Sequence, residues 1–152
     1  MYFYNKIKKL CESKKVVIYV DMDGVIASFD FGYPCGFDKK RPLFTNIKTL
    51  EEVSKLENVE LKILSACRKD YQIQEKNVWL DKYAPFFNKE NRNILSRESH
   101  NNELSSIMKT NFLSKVKDDR TIILIDDDIS VLRDVSKQLN HIVCMQDSEL
   151  ID

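Results

Sequence analysis

Two short acidic strings stand out among the 152 residues, Asp21-Met22-Asp23-Gly24 and Asp126-Asp127-Asp128. Each follows directly on an apolar, β-branched run: Val16-Val17-Ile18-Tyr19-Val20 before the first and Thr121-Ile122-Ile123-Leu124-Ile125 before the second. If both runs are strands of one open α/β sheet, the acids meet in the crevice beyond the carboxyl ends of those strands. Four or five carboxylates gathered there repel one another unless a cation sits among them. An all-oxygen shell suits a hard divalent ion, and with few protein ligands and room for water that ion is Mg²⁺. The plainer alternative for the second string is helix capping, because Asp is a favoured N-cap residue. Capping accounts for one acid of the three.

The rest of the chain supplies elements able to hold such a crevice. The stretches 61–64 and 121–125 repeat the short apolar pattern of strands buried on both faces, and 142–144 is a weaker fourth candidate. Between them lie helical stripes. Ile47, Leu50, Val53 and Leu56 form one, with Glu51 and Lys55 paired four apart on another face. Leu104, Met108, Phe112 and Val116 form a second, and Val131 or Leu132, Val135 and Leu139 a third; 72–83 is helical but less periodic. Strands alternating with helices imply crossover units, and therefore an α/β fold with a mostly parallel central sheet covered by helices on both faces.

With these elements placed, Asp21-Met22-Asp23-Gly24-Val25 after an apolar strand resembles the DxDG(V/T) signature of the haloacid dehalogenase (HAD) superfamily of phosphohydrolases. Ser65 after 61–64, a later lysine, and Asp126-Asp127 stand in the order of that superfamily's other motifs. The resemblance runs from residue 16 to about 145. Ile63-Leu64-Ser65-Ala66, Trp79-Leu80 near Tyr83-Ala84-Pro85-Phe86, and Leu124-Ile125-Asp126-Asp127-Asp128 are most similar to the 5'(3')-deoxyribonucleotidase-like branch. The resemblance implies a Rossmannoid three-layer fold with a minimal cap or none. It implies a Mg²⁺-dependent phosphatase that hydrolyses a phosphomonoester, a nucleoside monophosphate being one candidate.

In that scheme Asp21 is the nucleophile that forms an aspartyl-phosphate, and Asp23 is the general acid and base. The metal is held by Asp21, the Asp23 carbonyl and Asp126 or Asp127. Dehalogenase members lack the second Asp, so Asp23 favours phosphoryl transfer. Gly24 lets the backbone turn closely round the phosphate and leaves amide donors there, a plain turn glycine being the alternative. The Ser65 hydroxyl and the Ala66 and Cys67 amides bind phosphate oxygens; Arg68 and Lys69 either reach the substrate or are a solvated pair. The lysine that steadies the nucleophile's charge is Lys109 or Lys115. Lys109-Thr110-Asn111-Phe112 resembles the Lys-x-x-(Tyr/Phe) string of small members, while the spacing of Lys115 is closer to that in others.

Residues 24–46 form a short loop or cap insertion in a single domain spanning 1–152. Its aromatic residues, Phe29, Phe31, Tyr33 and Phe37, either stack a base or pack on the core, and Arg41 is a candidate phosphate ligand. Twenty-four basic residues balance 24 acidic ones, so no extended nucleic-acid surface is expected; the expected partner is a small phosphorylated molecule. No apolar run is long enough for a membrane span and no export signal is expected. Cys11, Cys35, Cys67 and Cys144 lack metal-ligand spacing and read as reduced thiols of a cytoplasmic protein. Two rivals remain: a receiver-like signalling domain phosphorylated on an Asp, and a catalytically idle relative that binds a partner. A receiver carries its phosphorylated Asp at the end of a middle strand, where this chain has Ser65.

Overall fold

The computed structural model describes residues 2–29 and 36–151. Its elements run α1 (Tyr2–Cys11), β1 (Val16–Val20), α2 (Phe44–Ser54), β2 (Val59–Cys67), α3 (Tyr71–Tyr83), β3 (Arg92–Ser96), α4 (Ser105–Ser114), β4 (Thr121–Asp126), α5 (Ile129–Gln138) and β5 (Val143–Gln146). Single 3₁₀ turns occupy Phe37–Lys39, Lys89–Asn91 and Asp147–Leu150. The five strands form one all-parallel sheet in the order β3-β2-β1-β4-β5.

Strand β1 lies at the centre because every one of its five residues is buried. Its side chains alternate between two cores with the period of two that a pleated strand imposes. Val16, Ile18 and Val20 join Phe3 and Ile7 of α1, Leu50 and Val53 of α2, and Trp79 and Leu80 of α3 in one core. Val17 and Tyr19 join Leu113 of α4 and Val131 and Val135 of α5 in the other. The sheet is thus a middle layer between two helical ones, the α/β architecture expected from the alternation of elements.

Topology sets the site. The chain steps outward from β1 to β2 and β3, then returns to lay β4 on the other side of β1 and β5 beyond it. The order therefore reverses between β1 and β4, and a crevice opens at the carboxyl ends of that pair. Ile18 lies in register with Ile123 and Val20 with Ile125, so both strands end level and deliver their acids to one place.

Three features depart from the sequence reading. Strand β2 runs on to Cys67, so Ser65 lies inside it and not at its end. Strand β3 was not expected: Arg92-Asn93-Ile94-Leu95-Ser96 is an edge strand that buries only Ile94 and Ser96, too few for a period to show. Helix α1 is a further element not among those read from the sequence, although Phe3, Ile7 and Cys11 recur every four residues on its buried face.

Of the 24–46 insertion, the described residues form a turn at Gly24, bridges Asp23↔Ala27 and Ala27↔Pro42, one 3₁₀ turn and the start of α2. Phe31 and Tyr33 lie outside the described residues. Phe37 is buried edge-on against Trp79 at 5.8 Å, the core-packing alternative, whereas Phe29 is exposed. Among the described residues no helix is long and apolar enough to cross a membrane, and Cys11, Cys67 and Cys144 are free thiols.

Candidate active site

Asp21 follows β1 directly, and its amide donates to the Ile125 carbonyl at 3.0 Å, pinning it to β4. Asp126 is the last residue of β4. Asp127 follows, and one carboxylate oxygen from each of Asp21, Asp126 and Asp127 lies within 4.8 Å of the others. Asp128 does something different: its side chain accepts from the Ser130 amide at 2.8 Å as the N-cap of α5. Capping thus explains the third acid and leaves two for the crevice.

Lys109, on α4, enters this cluster. Its Nζ lies 2.6 Å from Asp126 Oδ2 and 3.1 Å from Asp21 Oδ1, with the lysine side chain 2% exposed. Burial opposes its charge, yet Asp21 and Asp126 hold its pKa above the ordinary lysine value. Burial pushes Asp21 up to about 7; Lys109 works against the shift, and Asp126 adds to it. Burial, with help from Asp21, raises Asp127 to about 6. Three carboxylates sharing one ammonium carry two net negative charges in a water-poor place when all are ionised. An all-oxygen set of that charge fits a hard divalent cation.

The raised values give a prediction with a definite sign. Near neutral pH Asp21 and Asp127 still hold protons part of the time, and a bound cation must displace them. Mg²⁺ affinity is expected to rise at least about tenfold from pH 5.5 to 7.5 and to level off above it. Calorimetric titration in two buffers of different ionisation enthalpy measures the affinity and the protons released. A pH-independent affinity contradicts the placement of the metal on these two acids.

Gly24 serves this cluster by what it lacks. At φ +78° it occupies the left-handed region, and a Cβ there would stand 2.0 Å from Asp127 Oδ2. Its amide, expected as a phosphate donor, instead donates to the Ala27 carbonyl at 2.8 Å, so the glycine makes room for Asp127 and leaves no free N–H there. Gly24→Ala is expected to destabilise the protein by about 1–3 kcal/mol and to weaken Mg²⁺ binding, read by urea denaturation and titration. Unchanged Mg²⁺ affinity would show that Asp127 does not bind the ion.

Asp23 faces two other lysines. Lys76 Nζ, on α3, donates to Asp23 Oδ2 at 2.9 Å, to Ser65 Oγ at 2.7 Å and to the Ala66 carbonyl at 2.8 Å. Lys40 Nζ pairs with Asp23 Oδ1 and lies over the Phe37 ring, 5.0 Å from its centroid. Burial alone would raise the Asp23 pKa, but Lys76 and Lys40 bring it below the ordinary carboxylate range. Neither lysine was singled out from the sequence. Lys76 had a signal: it stands three and four residues before Trp79 and Leu80, on the buried face of α3, where a lysine needs an anionic partner. Lys40 had none, since its position depends on the loop and on Trp79 Nε1 donating to the Lys40 carbonyl at 3.0 Å.

The structure brings Asp21, Asp23, Lys109, Asp126 and Asp127 together and separates other candidates from them. Lys115 ends α4 and lines a different depression with His100 and Phe112, because it lies six residues beyond Lys109 on the helix. Arg41 is exposed and outside the cleft; its backbone, bonded to Ser28, ties the loop down while Lys40 beside it reaches Asp23. Ser65 is completely buried with its hydroxyl on Lys76, and Ala66 and Cys67 are the β2 residues that line the cleft. That cleft, about 520 Å³, is lined by Asp21, Asp23 and Lys109 on the acid side and by Arg68 and Arg97 on its wall.

No family model and no curated protein matches the sequence. Among solved structures, the fold is similar to a chain of the Pnkp1/Rnl/Hen1 RNA repair complex, with a TM-score of 0.69 and 19% identity over 88% of this chain. It is similar also to a chain of a Pnkp1/Rnl/Hen1 complex, with a TM-score of 0.69 and 17% identity. This chain spans 42% of the first and 46% of the second, less than half of either. At such identities the likeness defines the fold alone, a parallel α/β sheet.

Proposed function

We propose that the protein is a phosphohydrolase of the HAD type, acting on a phosphomonoester with Mg²⁺ as cofactor. The observation that carries this reading is the grouping of Asp21, Asp126 and Asp127 around Lys109 at the ends of two neighbouring strands, with Asp23 two residues beyond Asp21. Asp21, Asp126 and Asp127 would hold the ion, which would supply positive charge to neutralise the phosphate and let a carboxylate approach it.

The chain's own residues then have separable tasks. One Asp21 carboxylate oxygen attacks phosphorus, and the bond from phosphorus to the leaving oxygen breaks. Lys109 steadies the charge on Asp21 and on the transferring group. Asp23 gives the leaving oxygen its proton, and in the second half takes a proton from the water that cleaves the aspartyl-phosphate. Clamped by two ammonium groups, Asp23 is set as a base, so giving a proton requires one lysine to release it. Lys40 is the partner able to do so: its side chain is 20% exposed, against 2% for Lys76.

The cleft and the neighbours each suggest a substrate class to test. A nucleoside monophosphate fits its volume. Those two solved chains belong to complexes named Pnkp1/Rnl/Hen1, one of them called an RNA repair complex, so a phosphorylated RNA end is the second substrate to test. The deciding experiment measures inorganic phosphate released from p-nitrophenyl phosphate, from 5'- and 3'-nucleotides and from 3'-phosphorylated RNA. Release that needs Mg²⁺ and stops with EDTA is expected; no release from any of these with Mg²⁺ present would sink the reading.

A further inference from the structure

We infer that the cleft contains a second anion subsite, built on Arg68 and Arg97, and that the substrate is a phosphomonoester carrying another phosphate on the same molecule. The inference rests on the phosphohydrolase reading for the phosphate that reacts. For the second phosphate it rests on separate observations.

Arg68 and Arg97 line the same cleft as Asp21 and Lys109. Elsewhere in the molecule Arg92 pairs with Asp81 and Arg120 with Asp118. Among the described residues no carboxylate pairs with Arg68 or Arg97, and the nearby Glu98 turns to Lys69 instead. Arg97 gives one Nη2 bond, at 2.9 Å, to the Asn102 carbonyl, while its Nε is buried with no partner. A guanidinium is a planar fork of five donors, the geometry that meets a phosphate by two parallel bonds. A cleft wall carrying two arginines that no described carboxylate neutralises is what a site shows when its ligand is to supply the negative charge.

The adjoining wall agrees in sign. It is the start of α4, where Ser105 and Ser106 line the cleft and Leu104 sits in the N-cap position with no side-chain oxygen to offer the first amides. Helix starts favour negative charge. The cleft therefore has an acidic end, where a cation and the reacting phosphate would sit, and a basic wall that the proposed phosphoryl transfer does not use. Its volume accommodates one small molecule spanning both. The two sources of such a ligand, a nucleoside bisphosphate and the end of a nucleic-acid strand, share a second phosphate at short reach from the first.

Equilibrium binding separates this from the hydrolysis itself. Asp21→Asn protein with Mg²⁺ is titrated calorimetrically with adenosine 5'-monophosphate, adenosine 3'-monophosphate, adenosine 3',5'-bisphosphate and a trinucleotide bearing a 3'-phosphate. At least one of the two ligands with more than one phosphate is expected to bind about tenfold or more tightly than both monophosphates, and which one does so identifies the source. Adding Arg97→Gln or Arg68→Gln is expected to shrink that advantage below about threefold. Arg68 is exposed, so its variant folds even where the half-buried Arg97 variant does not. Equal affinity for all four ligands overturns the inference. So does an equal weakening of monophosphates and bisphosphate in the variants, which would put the arginines on the reacting phosphate. Preference for the bisphosphate in a wild-type protein that releases no phosphate would retire the hydrolase reading and keep the subsite.

Discussion

Asp21→Asn is expected to lower Mg²⁺-dependent phosphate release at least about a thousandfold while leaving the protein as stable as the wild type, or more stable, at pH 8. The two halves of the expectation have one origin. Asn has the shape of Asp but no oxygen that can attack phosphorus, so the covalent route closes. The same exchange removes a charge that the fold holds at a cost: Asp21 is 6% exposed, and burial lifts its pKa to about 7. A carboxyl whose folded value lies above its unfolded one binds more protons when folded, so its contribution to stability falls as pH rises from about 4 to 7. Deleting that charge relieves the loss, and Lys109 keeps Asp126 as a partner at 2.6 Å. Phosphate release and a urea melt at pH 8 read both effects. Activity equal to the wild type would take the nucleophile's role from Asp21. Lost activity with a lowered melt would reduce the result to misfolding.

How much of this was legible beforehand depended on how locally each feature is encoded. Strands β1 and β4 are continuous apolar runs buried on both faces, so their limits could be read to within a residue, and acids written directly after them had one place to go. Strand β3 could not be read because an edge strand with Arg92 and Asn93 at its start takes its identity from pairing with Ile63 and Leu64 of β2. The lysines divide in the same way. Lys109 belongs to a string of familiar spacing on a helix that the sequence itself reveals. The role of Lys76 exists only when α3 docks on β2 and brings its ammonium to Ser65 and Asp23, 53 residues away in the chain. The closeness of Gly24 to Asp127 was hidden for a related reason. Its type and turn are local, but the carboxylate that would collide with a Cβ arrives from Asp127 across the crevice.

Lys109→Met carries the second large effect, and its pH dependence distinguishes charge from packing. Methionine matches much of the lysine's volume, so what is lost is the ammonium between Asp21 and Asp126. Removing one member of a buried charge cluster strands the others and typically costs about 3–5 kcal/mol. That full loss is expected at pH 8, where both acids are pressed to ionise. Burial already raises Asp21 and Asp126, and Lys109 is the main influence holding each down. Without it their folded values move further up, and the window in which the folded state holds the extra protons widens toward higher pH. Stability of the variant therefore falls as pH rises from 5 to 8. Toward pH 5 protons take up more of the acids' charge, and the loss shrinks toward that of missing hydrogen bonds, about 1–2 kcal/mol. Urea denaturation at the two pH values in EDTA measures the difference, and adding Mg²⁺ at pH 8 is expected to restore part of it, because the ion replaces some of the missing positive charge. A loss of stability that is the same at pH 5 and pH 8 and indifferent to Mg²⁺ would mean that Lys109 acts by packing alone, and that the three acids do not form the charged centre on which the proposed chemistry depends.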